Sequence, residues 1–73
     1  MATVIVTRNG RPVAGAEVKA ISSFGFSQYD QKCRTDSRGE ARMDDNENRF
    51  RIYVDDREVD LVPRLRGDIE VEI

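Results

Sequence analysis

The run Arg49-Phe50-Arg51-Ile52-Tyr53-Val54 changes polarity at every residue. Successive side chains of a β-strand point to opposite faces, whereas a helix brings a face back every third or fourth residue. The run therefore gathers Phe50, Ile52 and Val54 onto one face only as a strand, with Arg49, Arg51 and Tyr53 on the other. The same period governs Ala16-Glu17-Val18-Lys19-Ala20. It returns in Asp68-Ile69-Glu70-Val71-Glu72-Ile73, with Ile69, Val71 and Ile73 inward. No segment sustains helical spacing. A chain that collects its apolar residues this way must close one pleated layer over another.

The punctuation between these runs agrees. Thr3 to Thr7 is a continuous β-branched stretch, and Val4, Ile5 and Val6 together predict a strand buried on both faces. Asn9-Gly10 is a strong hairpin signal, because both residues tolerate positive φ. Pro12, which lacks an amide donor, belongs in a connection or on an edge. Gly15 permits a second bend. Ser22 to Asp30 reads as the longest irregular stretch, with a strand resuming at Gln31 to Arg34. Thr35-Asp36-Ser37-Arg38-Gly39 is a turn, and Glu40 to Met43 the return strand, with Ala41 and Met43 on one face. Asp44 to Asn48 is a polar loop, Asp55-Asp56-Arg57 a turn, and Glu58 to Val62 a short strand stopped by Pro63. These readings give seven short strands in one domain, residues 1–73, and so an all-β, seven-stranded antiparallel Ig-like β-sandwich. A chain of 73 residues builds only a thin core, which oligomerisation or docking would support.

Charge and residue content exclude several functions. Twelve basic and 14 acidic residues give a net charge of −2, which argues against nucleic acid as a partner. No apolar run approaches the ~20 residues of a membrane span. The first residues carry neither a basic region nor a long apolar stretch, so a cytoplasmic protein is expected, or an extracellular or periplasmic one if the chain is a fragment. Histidine is absent, which removes His-based acid–base, nucleophilic and zinc chemistry. Cys33 has no activating base in view and reads as a structural thiol. Asp44, Asp45, Asn46, Glu47 and Asn48 offer oxygens of the kind calcium takes, without the alternating spacing of an EF-hand loop, and read as a solvated connection. No enzyme, no cofactor and no metal site is expected.

Gly10, Pro12, Val13, Gly15, Ala16 and Val18, then Thr35-Asp36 and Gly39, then Phe50, Ile52 and Val54, follow a Gly-x-Pro-Val-x-Gly-Ala-x-Val run, a Thr-Asp-x-x-Gly turn and an aromatic-x-Ile-x-Val strand. In these residues the chain resembles the prealbumin-like (transthyretin-like) family, specifically the carboxypeptidase regulatory-like domain. The match spans about residues 3–55. The resemblance implies a β-sandwich that serves as a non-catalytic accessory or interaction module. The hydroxyisourate-hydrolysing branch of that family relies on histidines, which this chain lacks.

Three features are candidates for contact. Phe24, Phe26 and Tyr29 place three of the five aromatic residues in one Ser- and Gly-rich stretch, an arrangement suited to a protein or carbohydrate partner. The competing reading folds their rings over an open end of the core. Arg49, Arg51 and Tyr53 form an outward stripe, and Glu70 and Glu72 another of opposite sign. As neighbours they would pair across strands, and on separate faces they would dock a charged partner or a second copy. Ile5 and Ile21, apolar where alternation places polar residues, suggest an interface patch near the first hairpin. Arg66-Gly67-Asp68 matches an integrin tripeptide, a pattern short enough to arise by chance. The function expected is a protein-interaction or adaptor module presenting an aromatic loop. The alternative is a structural spacer or a self-associating subunit, a homo-oligomer within a larger assembly.

Overall fold

The computed structural model describes the backbone of residues 1–24 and 27–73, and the side chains of residues 1–22 and 30–73. Its strands are β1 (Ala2–Arg8), β2 (Arg11–Pro12), β3 (Glu17–Phe24), β4 (Ser27–Arg34), β5 (Glu40–Met43), β6 (Phe50–Val54), β7 (Arg57–Val62) and β8 (Gly67–Glu72). They form two sheets. In the first, β1 is central: β8 runs along one edge over residues 2–7, so β5 and β2 share the other. In the second the order is β4-β3-β6-β7.

The architecture is an all-β sandwich of eight strands among the described residues, one more than the seven expected. The additional strand is β2, two residues long and closed onto β1 by the turn at Asn9 and Gly10, whose φ values are 53° and 78°. Positive φ at both central residues is what a type I′ hairpin requires. A two-residue strand that includes Pro12 is too short to show any alternation. The expectation of a wholly antiparallel sandwich is also corrected, because β1 and β8 pair in parallel from Ala2↔Gly67 to Thr7↔Glu72. Alternation reports which face a side chain takes and carries no information on strand direction. Parallel neighbours need a long crossover, and here the whole second sheet supplies it. The stretch Ser22 to Asp30, expected to be irregular, is largely strand: β3 and β4 pair from Glu17↔Arg34 to Phe24↔Ser27.

Alternation placed the core well. Val18, Ala20, Phe50, Ile52 and Val54 of the second sheet meet Ala2, Val4, Val6, Ala41, Met43 and Val71 of the first, all buried. Each fully buried Val, Ile or Phe contributes roughly 1.5–3 kcal/mol relative to exposure. Ile69 and Ile73 are half-buried, as is Ile5, so β1 is not buried on both faces. Leu65, in the connection between β7 and β8, is completely buried and is held there by reciprocal backbone hydrogen bonds with Asn46 of 2.7 and 2.8 Å.

One end of the sandwich is knotted by residues far apart in sequence. The Thr35 hydroxyl accepts from the Ala16 N–H at 2.9 Å and donates to the Val13 carbonyl at 2.6 Å. The Thr35 backbone bonds Gly15 and Ala16 as well. Asp36 Oδ1 accepts from the N–H groups of Arg38 and Glu40 at 2.8 and 3.1 Å, which closes the turn into β5. Gly39 lies against the β1 backbone, and a Cβ there would meet the Val6 carbonyl oxygen at 2.6 Å.

Candidate functional site: the outer face of the second sheet

The side chains that alternation turns away from the core of β3, β6 and β7 form a shallow depression of ≈ 400 Å³ lined by Ile21, Arg49, Arg51, Tyr53 and Leu61. Register explains the grouping. Ile21 of β3 is the cross-strand partner of Arg51 of β6, and Arg51 is the partner of Leu61 of β7. One guanidinium therefore stands between two aliphatic side chains. Leu61 is 57% exposed and adds its apolar surface to this face.

The charges on this face differ in how they are engaged. Lys19, in the next row beside Tyr53, bonds Asp56 at 3.0 Å and lies 3.9 Å from Glu17. The hydrogen bond to Asp56 and its charge raise the Lys19 pKa above its ordinary value. The Tyr53 hydroxyl lies 3.5 Å from a Glu58 carboxylate oxygen. Arg49 and Arg51, by contrast, make no ion pair among the described residues. Asp30 is the acidic group that register sets beside Ile21, at the β4 edge of the face.

The opposite outer face is built the other way round. On the first sheet Ile5 stands between Glu70 of β8 and Glu40 of β5, while Thr3 and Thr7 stand beside Asp68 and Glu72. Glu40 is engaged by Arg42, which also reaches Asp36. Asp68, Glu70 and Glu72 are exposed and make no ion pair among the described residues. The arginine stripe and the glutamate stripe are thus on different sheets. Ile5 and Ile21 are separated in the same way, so the single patch expected near the first hairpin does not form. A larger hollow of ≈ 490 Å³ at the β7–β8 end is lined by Arg8 and Arg57 but also by Asp55, Glu58 and Glu72, a mixed charge that marks no single ligand class.

The structure brings Arg49, Arg51 and Tyr53 together as the sequence predicts and adds Ile21 and Leu61 to them. Leu61 escaped the sequence reading. Its signal is the pair Leu61-Val62: Val62 turns into the core, which leaves Leu61 outside. The side chains of Phe24, Phe26 and Tyr29, the other predicted contact residues, lie outside the described residues. Cys33 is half-buried against the core. In the polar loop, Glu47 faces Arg66 at 3.3 Å and Arg64 at 3.8 Å, so Arg66 of the Arg-Gly-Asp tripeptide is paired within the chain. No helix long and apolar enough to cross a membrane occurs among the described residues.

No family model, no curated protein and no solved structure matches this chain.

Proposed function

We propose that this chain is a non-enzymatic docking module of the transthyretin-like, carboxypeptidase regulatory-like type, and that its outer β3–β6–β7 face receives an acidic, partly apolar protein surface. The carrying observation is Arg51, unpaired among the described residues between Ile21 and Leu61. An arginine flanked by aliphatic side chains offers a carboxylate a fork of donors and offers a neighbouring apolar side chain a place to bury. Phe24, Phe26 and Tyr29, the contact residues expected from the sequence, are proposed to widen the contact. The family reading is supported by how its motif residues meet: Thr35 bonds Val13 and Ala16, and Gly39 abuts Pro12 and Val13. The absence of histidine from the sequence favours binding over catalysis. A lone thiol at Cys33 needs no oxidising compartment, and the cytoplasm is the placement we assign.

Selection of a displayed random-peptide library on the protein tests the reading. Enriched peptides should combine Asp or Glu with an apolar residue, and Arg51→Glu together with Leu61→Asp should abolish their binding while the melting curve is retained. Enriched peptides indifferent to both substitutions would overturn it.

A further inference from the structure

We propose that the acidic surface taken by the β3–β6–β7 face is the outer face of the first sheet of a second copy, so that copies stack head to tail. The inference rests on the docking face described above and names its occupant. The two outer faces carry opposite unpaired charge, Arg49 and Arg51 on one, with Asp30 at its β4 edge, and Asp68, Glu70 and Glu72 on the other. Their apolar patterns are inverse as well. The row Ile21–Arg51–Leu61 has its cation in the centre, and the row Glu70–Ile5–Glu40 has its aliphatic residue in the centre.

Sliding one row over the other by a single strand spacing, about 4.8 Å, sets Ile5 on Leu61 and a carboxylate on Arg51, whereas Ile5 on Ile21 would lay the second carboxylate on Asp30. Two identical faces laid in register would set Arg51 on Arg51, or Glu70 and Glu40 on carboxylates, which disfavours that pairing. The molecule's two longer dimensions, 37 and 22 Å, leave each face room for the contact of a standard interface. A net charge of only −2 opposes such stacking weakly. An interface that joins two different faces leaves one of each free, so it propagates into rings or filaments unless capped.

Sedimentation of the purified chain over a concentration series tests this. At low ionic strength the mass should rise with concentration past that of a dimer. It should fall toward the monomer in about 1 M salt, where screening acts within ~3 Å. Arg51→Glu and Glu70→Arg should each, alone, weaken association by at least about tenfold, since each sets like charges together. Mixed, the two variants should associate again, because one junction between them keeps both native faces and the other sets the two reversed charges against each other. Arg49→Glu and Glu72→Arg give an independent pair should either first variant fail to fold.

A wild-type chain that remains monomeric throughout overturns the proposal, and so does a mixture of variants that stays unassociated. If peptides still bind at Arg51 and Leu61 in a chain that remains monomeric, self-stacking falls and the docking face stands. If neither occurs, both fall.

Discussion

Gly39 shows how much of this fold depends on single atoms. Its φ of +75° is a left-handed conformation, and an added Cβ would approach the Val6 carbonyl oxygen to 2.6 Å and the Val13 nitrogen to 3.1 Å. Both neighbours are backbone, which cannot swing aside as a side-chain tip would. Gly10 has a similar φ of +78° but open space around it. Gly10→Ala should therefore cost about 1–2 kcal/mol, the left-handed penalty alone, and Gly39→Ala clearly more, as read from urea unfolding of the two variants. Equal losses would show that the contact with β1 contributes nothing. Asp36 makes a second prediction. Hydrogen bonds from the N–H groups of Glu40 and Arg38, with help from Arg42, hold its pKa below the ordinary 3.8 against the opposing effect of desolvation. The fold therefore favours the carboxylate. That stabilisation is complete above the unfolded value near 3.8 and is lost as pH falls through the lower folded value. Asp36→Asn should lower stability at neutral pH and flatten the acid limb of a stability–pH curve. A limb as steep as the wild type's would remove Asp36 from its cause.

Among the elements, β6 was fully legible and β8 only half so, for a physical reason. Alternation assigns faces, and in β6 it assigned Phe50, Ile52, Val54, Arg51 and Tyr53 correctly. Partnership and direction depend on residues distant in sequence, so nothing within β8 announces its parallel seat beside β1. Leu65 was hidden for a related reason. It is a lone apolar residue between Arg64 and Arg66, and its inward seat goes with a bridge to Asn46, distant in sequence. The candidate site divides similarly: the arginine stripe is visible in β6, whereas Ile21 and Leu61 join it only through register. Register also fails to reveal the link between β4 and the end of β5. The Gln31 side-chain amide donates to the Asp44 carbonyl at 2.9 Å and accepts from the Asp44 N–H at 2.8 Å, so one side chain imitates a strand neighbour across the two sheets. Gln31→Ala should speed hydrogen exchange at the Asp44 amide while leaving Ile52, in the centre of β6, protected. Unchanged exchange at Asp44 would mean that the link adds nothing to local order.

For the whole molecule, the seam between the first and last strands sets how it responds to load. Ala2 stands beside Gly67 and Thr7 beside Glu72, with Ile73 adding a 2.9 Å bond from its N–H to the Thr7 carbonyl. A pull applied through residues 2 and 72 draws the two strands past each other lengthwise, and the evenly spaced bonds between them must yield together. A pull through residues 2 and 67, at neighbouring ends of the same two strands, opens the bonds one at a time. Single-molecule force measurements should find a markedly higher rupture force for the first attachment than for the second, and similar forces would refute this. A chain threaded in this way can take up tension between whatever is fused before β1 and after β8, behaving as a clasp closed by shear where a hairpin would unzip.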